Sequence, residues 1–414
     1  MSKIENTVNS VLLKFPALKK AVKRVYQLGM YAISPKIRSE GAIRRVTPED
    51  GYEYFFGYYD KSPWDASGRY MLCLRVKDTT VSPAPADPAD IVVIDTHNGN
   101  SVESIAQTRT WNVQQGCMLQ WLGPDNSTRI IYNDFRDGKY CSVIREMTTG
   151  EETVRDMPVY SVSSDGSFAL TLDFSRLHRL RKGYGYSNLP EKTAIDKLPE
   201  TTCIWKIDLV SNFILPIFSY SDFAGFEPRD DMKGAEHKVN HIMLSPDGKR
   251  FMVLHRWFRG SRKYTRLVTA DTVGSDMFNL SDDDMVSHCC WRNDSEILAF
   301  AHKREIGNGY YLMEDRSNEL RRMWPQLISD GHPGYSPDGS LVVTDTYPDR
   351  SRVASVYVMK GDEVRRAARV YAPFKYDNDL RCDLHPRWDR AGDKICIDSV
   401  FEGKRGLYVV DFDR

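Results

Sequence analysis

Several things are missing from this 414-residue chain, and each absence excludes something. No apolar run approaches the roughly 18 residues that a helical membrane span needs. No compact apolar segment with a small-residue cleavage site opens the chain, so no secretory leader is expected. No CxxC pair occurs among the eight cysteines, and the adjacent Cys289 and Cys290 make a poor disulfide framework. Reduced thiols in a cytoplasmic protein are the expectation. Net charge is also missing, with 57 Lys and Arg against 57 Asp and Glu. That balance argues against a global electrostatic grip on nucleic acid. At 41% apolar and 28% charged residues the composition is that of a folded chain, not a disordered one.

What is present is a repeat. An apolar stretch, a short turn with Asp, Gly or Asn, and a second apolar run recur seven times. The copies are SPWDASGRYMLCL (62–74), QWLGPDNSTRIIY (120–132), SVSSDGSFALTL (161–172), MLSPDGKRFMVL (243–254), CWRNDSEILAF (290–300), YSPDGSLVVT (335–344) and RWDRAGDKICI (387–397). Each reads as two strands joined by a tight turn, since Asp and Asn tolerate turn geometry and Gly supplies positive φ. Two further strands follow most copies, for example TRLVTADTV and DMFNLSD after the fourth. Residues 45–414 shared among seven units give about 53 residues each, near the size of a propeller blade.

Closing a ring of such meanders protects edges that a lone meander would expose. The prediction is an all-β chain: one seven-bladed β-propeller of four-stranded antiparallel blades over 41–414. Blades should begin near 48, 112, 157, 238, 286, 331 and 383. The seventh unit stops after its third strand, GLYVVDFDR, so residues 42–47 are expected to complete it. Residues 1–40 fall outside the repeat. Apolar positions there recur at three- and four-residue spacing beside Lys19, Lys20, Lys23 and Arg24, which predicts a basic amphipathic helical extension broken at Pro16. Such a helix packs on the propeller flank or attaches peripherally to an anionic membrane through residues 5–33.

Histidine is scarce, nine in all, and four share one register. With Ser245, Arg292, Ser336 and Asp389 aligned on the turn, His241, His288, His332 and His385 each stand four residues earlier. Units one to three carry Lys61, Met118 and Val159 there. The first strand of a blade lines the central channel, so these imidazoles are predicted to converge near one channel mouth. A ring of hydrogen-bonding histidines tying blades together is one account. A divalent transition metal completed by a carboxylate or amide is another, and a general base beside a metal is a third.

The loops joining second to third strands leave at the same mouth, and all carry cations. The third, DFSRLHRLRKGYGY, holds Arg176, Arg179, Arg181 and Lys182 with Tyr184 and Tyr186. The fourth, HRWFRGSRKYTR, holds Arg256, Arg259, Arg262, Lys263 and Tyr264, and the sixth holds Arg350. An anionic ligand is expected, because Arg forks pair with carboxylates and aromatic faces stack on sugars. A stacked nucleic-acid strand suits a deep histidine-lined channel poorly. Arg256 and the 173–186 loop are predicted to hold a carboxylate over the histidines, the long loop covering the mouth.

The stretches NHIMLSPDGKRFMVLHRW (240–257), SHCCWRND (287–294) and GHPGYSPDGSLVVTDTYPD (331–349) resemble the oligogalacturonate lyases and related β-propeller polysaccharide lyases with TolB-like SPDG repeats. The resemblance implies a divalent metal, Mn²⁺ in that group, held by three His and one Gln, with a separate His as base. Carried over, it makes His288 and His332 metal ligands and His241 the base. The group's Gln-x-x-His-Pro-His departs here to Ser329-Asp330-Gly331-His332-Pro333-Gly334. His385 would restore a third ligand and Gln115 an amide, with Mn²⁺, Ca²⁺ or Zn²⁺ as the ion. The expected activity is β-elimination on a uronate-containing glycan. There, carboxylate neutralisation stabilises the enolate and neutral His241 takes the proton, with Tyr264 as the acid for the departing oxygen. The carboxylate pair of a glycosidase is not evident. A non-catalytic propeller binding an anionic glycan or a protein, and a hydrolase or transferase on acidic glycans, are the competing readings.

Overall fold

The computed structural model describes residues 16–85 and 87–412. Seven antiparallel sheets follow one another along the chain, each a meander. The innermost strands are Glu53–Phe55, Gln120–Trp121, Ser161–Val162, Glu236–Leu244, Val286–Trp291, Gly334–Tyr335 and Arg387–Trp388. The all-β, seven-bladed prediction holds. Blades one, two, three, six and seven begin some residues later than expected, because their inner strands are only two or three residues long.

The turns explain the repeat. In the fourth blade Ser245 Oγ lies 2.7 Å from Asp247 and accepts the Arg250 amide at 3.0 Å. Gly248 closes the turn at φ +70°, where a side chain is strained. Ser336, Asp338 and Gly339 reproduce this turn in the sixth blade. Neighbouring blades are tied at one recurring position. The Trp121, Trp291 and Trp388 indoles donate to the carbonyls of Pro63, Met243 and Gly334 on the preceding blade.

The ring closes as predicted. Ala42–Arg45 pairs antiparallel with Gly406–Asp411, from Ala42↔Asp411 to Arg45↔Tyr408. One feature is additional. Ser39–Glu40 pairs with Glu363–Tyr371 and makes blade six five-stranded. The chain turns between these two pairings at Gly41, where a Cβ would meet the Ala367 carbonyl oxygen at 2.3 Å. One short segment therefore straps blades six and seven together.

A helix spans Pro16–Ile33, with Pro16 as its first residue, the position where a missing N–H costs nothing. The part of the predicted extension before Pro16 lies outside the described residues. The helix rests on blade six. Tyr31 stacks on Tyr371 at 5.6 Å and meets Phe374 edge-on at 5.4 Å. Among the described residues no helix is long and apolar enough to cross a membrane. All eight cysteines are free and buried.

Candidate functional site

The four histidines converge. Ring centroids lie 5.9 Å apart for His241–His288, 4.1 Å for His288–His332 and 4.4 Å for His332–His385. All four are buried. Local irregularity aims them inward. The ladder slips between Asn240 and Met243, and again between Val286 and Cys289. His241 and His385 sit at φ +64° and +46°. Left-handed backbone in bulky residues is strained, and such strain concentrates where a side chain must be aimed. Met118 adopts the same conformation, φ +57°, at the equivalent position of blade two.

Two tyrosines that the repeat did not reveal hold His241. The Tyr58 hydroxyl lies 2.8 Å from Nδ1 and the Tyr59 hydroxyl 2.7 Å from Nε2. Tyr59 also donates to the Cys289 carbonyl at 2.8 Å and accepts from the Cys289 amide at 3.1 Å. Its single proton is thus spent on Cys289. The assignment satisfying every partner puts the His241 proton on Nε2 and has Tyr58 donate to Nδ1. Both tyrosines lie in 56–63, which leaves the ladder after Phe55 and reaches across from blade one to His241 and Cys289 of blades four and five. Gly57 permits the crossing: it sits at φ +120°, and a Cβ there would lie 2.8 Å from the Gln115 backbone. The signal for this was visible, since a Gly inside an aromatic strand pattern (YFFGYYD) marks a bulge or close approach.

His332 and His385 form the metal-competent part. Asp345 orients both: Oδ1 lies 2.8 Å from His332 Nδ1 and accepts the His332 amide at 2.8 Å, and Oδ2 accepts the His385 amide at 3.1 Å. His385 has a further backbone hydrogen bond with Gly57. The Nε2 atoms of both rings are buried and without a partner. With the Asp383 carboxylate they make a trio whose ligand atoms lie within 4.8 Å of one another. Asp383 is itself clamped by Arg381, at 2.8 and 2.7 Å. His288, the next ring along, is held by Asp330 at 3.1 Å through Nδ1. Two bare imidazole nitrogens beside a carboxylate suit a divalent ion such as Mn²⁺ or Zn²⁺. The residues present therefore fit the expected metal. Asp383 is an addition to the predicted set, while Gln115 donates its amide nitrogen to the Tyr160 hydroxyl at 2.8 Å on the His241 side and keeps a buried Oε1 without a partner.

Burial sets the charge states. It drives His241 and His385 well below the ordinary imidazole range, helped by neighbouring histidines and, for His241, by Arg256. Burial and His332 push His288 down to about 4. Burial also depresses His332, but Asp345 outweighs it and the net direction is up.

Beside the histidines lies an uncompensated cationic pocket. Lys238 and Arg256 face each other across two paired strands and are both buried. Arg181 and Lys263 are close enough to depress Arg256 or Lys238 electrostatically. Burial, then Arg181, lowers Arg256 to about 10. Arg256, then burial, lowers Lys263 to about 8. None of the four has an ion-pair partner among the described residues, and Arg256 Nε and Nη1 are buried without hydrogen bonds. Tyr184 belongs here too, with the Arg181 guanidinium 4.0 Å over its ring and Tyr58 at 6.4 Å.

The rest of the rim corrects the sequence reading. The 173–186 segment is not simply a long loop. Asp173 caps a helix, Phe174–Leu180, whose Phe174 and Leu177 are buried. Arg176 is fully buried, bound to Glu191 at 2.5 Å and to the carbonyls of His237 and Lys197. Arg179 pairs with Glu191 and Glu236. Tyr186 stacks on Phe174 at 4.4 Å and accepts from Asn133. Arg262 pairs with Asp284 and lies over Tyr264, which stacks on Trp257. Trp257 pairs with Tyr264 and Arg256 with Thr265, so Tyr264 projects from the opposite face of the sheet to Arg256. Arg350 lies 5.9 Å over Tyr26 of the N-terminal helix. Neutralised or distant, these six side chains do not join the histidines. Among the described residues of the seven rim loops, only Arg181, Arg256 and Lys263 retain unpaired charge next to them.

Fold and site together define a seven-bladed propeller with an imidazole–carboxylate cluster and a buried cationic pocket at one mouth. Among solved structures the chain is similar to an oligogalacturonate lyase in complex with manganese, at 17% identity and TM-score 0.66, covering 92% of this chain and 96% of that one. It is also similar to an oligogalacturonate lyase from Vibrio parahaemolyticus, at 13% identity and TM-score 0.63, covering 92% and 98%. Prolyl endopeptidases share the ring more loosely, at 11% identity and TM-score 0.51, over 97% of this chain and 55% of theirs. At these identities the likeness is one of fold. No protein-family model and no curated protein sequence matches the chain.

Proposed function

We propose that the protein cleaves an acidic, uronate-containing glycan by metal-assisted β-elimination. The observation that carries this is Arg256: a buried guanidinium with two unpartnered nitrogens beside buried Lys238. Buried charges are ordinarily paired, and an unpaired one is a standing demand for an anion. A sugar carboxylate meets that demand and brings its α-carbon towards Tyr58.

Arg256 and Lys238 bind the carboxylate and neutralise charge as the enolate develops. A divalent ion held by His332, His385 and Asp383, with His288 alongside, would add a Lewis acid at the same carboxylate. The proton goes to the tyrosine–histidine pair. Tyr58 oxygen takes it from the α-carbon while passing its own proton to His241 Nδ1, and Tyr59 accepts from Nε2–H of the resulting imidazolium. The C–H electron pair forms the C=C bond as the glycosidic C–O bond breaks, and the departing oxygen takes a proton from water at the mouth. His241 thus remains the final base, reached through Tyr58.

The test is a screen of acidic polysaccharides with Mn²⁺, Ca²⁺ or Zn²⁺, read by the ultraviolet absorbance of the unsaturated uronate product. Turnover by the parent and its loss in Arg256→Ala support the reading. Binding without turnover points to a non-catalytic glycan-binding propeller, and reducing ends without that absorbance point to a hydrolase.

A further inference from the structure

The helix Pro16–Ile33 is amphipathic in an unusual sense: the side turned towards the propeller is the polar one. Arg24 donates to Asp377 at 3.4 Å and to the Phe374 carbonyl at 3.3 Å, and lies 4.5 Å over the Phe374 ring. Tyr31 packs on Tyr371 and Phe374, and Gln27, Met30 and Ser34 are half-buried along the same stripe. The side turned outward is Val22, Val25, Leu28, Gly29, Ala32 and Ile33. These six residues carry no charge, yet Val25 is 71% and Ile33 78% exposed. A water-facing helix surface normally has the reverse pattern.

Charge in this stretch of the sequence is of one sign. From Asn6 to Ser39 the sequence contains seven Lys or Arg and no Asp or Glu. The chain as a whole is neutral, so the other residues carry an excess of seven acidic groups. An anionic surface would repel that remainder and attract this segment alone.

We propose that residues 16–33 seat the propeller on an anionic lipid bilayer, with the outward apolar stripe entering the headgroup–acyl boundary. An exposed apolar face on a segment whose only charged residues are cationic is the pattern of an interfacial helix, and two weak signals together give stable attachment. The docking site also fixes orientation. Arg350, which meets Tyr26, lies in the second-to-third-strand loop of blade six. That loop follows Val342–Asp345, the strand ending at the residue that orients His332. The anchor therefore sits beside the mouth that holds the histidines, and that mouth is held near the membrane surface.

The test is co-sedimentation of the full chain with vesicles of phosphatidylcholine alone or mixed with phosphatidylglycerol, at low and high salt. The parent should pellet with the phosphatidylglycerol vesicles at low salt and stay in solution with phosphatidylcholine. Val25→Asp combined with Ile33→Asp should cut the bound fraction roughly tenfold. Both positions are exposed, so thermal unfolding of the double variant should match the parent. The proposal is overturned if the parent ignores anionic vesicles or the double variant binds as well as the parent. It is equally overturned if the parent is a dimer that the double variant dissolves, for then a second copy covers the stripe.

Discussion

Asp345 Oδ1 and His332 Nδ1 lie 2.8 Å apart, both buried, and the other Asp345 oxygen takes the His385 amide. One carboxylate thus sets the ring orientation of one candidate ligand and the backbone of the next. Asp345→Asn keeps the shape but loses the charge that fixes the His332 tautomer. Metal affinity should fall about 10–100-fold, measured by titration calorimetry with Mn²⁺ or Zn²⁺. An unchanged affinity would place the metal elsewhere.

Acid should unfold the metal-free protein early. His288 has its pKa lowered to about 4 in the fold against the ordinary 6.5. Between those values the unfolded chain binds a proton that the folded chain refuses, so stability falls as pH drops through this window and is untouched above it. His241 and His385 shift in the same direction. His332 shifts the other way and opposes them in part. The His288 contribution alone is at most on the order of 3 kcal/mol. Thermal melts of chelated protein between pH 7 and pH 4 check this, and His288→Gln should shallow the slope. A slope that the substitution leaves unchanged would remove His288 from the account.

Tyr58→Phe separates the relay from direct proton transfer to His241. It removes the donor to Nδ1 and leaves Tyr59 and the fold in place. Turnover on a uronate polymer should fall about 100-fold or more, in kcat rather than KM. If His241 takes the proton directly, freeing Nδ1 would instead preserve or raise the rate.

The ring was legible because each blade carries its own turn chemistry, and the Ser245–Asp247–Gly248 pattern recurs whatever the neighbours are. The histidine register was legible for the same reason, as a fixed offset from that turn. What the register could not reveal lies where the chain leaves the repeat. Tyr58 and Tyr59 are on the crossing that Gly57 permits, outside any strand. Asp383 precedes the innermost strand of blade seven and Asp345 ends a strand of blade six, so each meets the histidines only where the two neighbouring blades pack together. The rim misled for a related reason. Counting cations by loop ignores partners far away in sequence, such as Glu191 for Arg176 and Glu236 for Arg179.

Arg176 and Arg256 make the sharpest comparison, since both are buried arginines on the same rim. Arg176 is compensated by Glu191 and by backbone carbonyls. Arg256 has no ion-pair partner among the described residues and two bare nitrogens. Removing one member of a buried pair leaves the other uncompensated and costs about 3–5 kcal/mol. Arg176→Met should therefore lower the melting temperature sharply. Replacing an unpaired buried cation with an apolar side chain of similar length removes a desolvation cost instead, so Arg256→Met should raise stability by roughly 1–3 kcal/mol. The same substitution should abolish binding of an acidic oligosaccharide, measured by calorimetry at fixed ionic strength. Stability and binding then move in opposite directions, as expected where a site holds charge in readiness for a ligand. If Arg256→Met is instead destabilising to the same degree as Arg176→Met, then Arg256 serves the fold, and the carboxylate must be held by Lys238 and Arg181 without it.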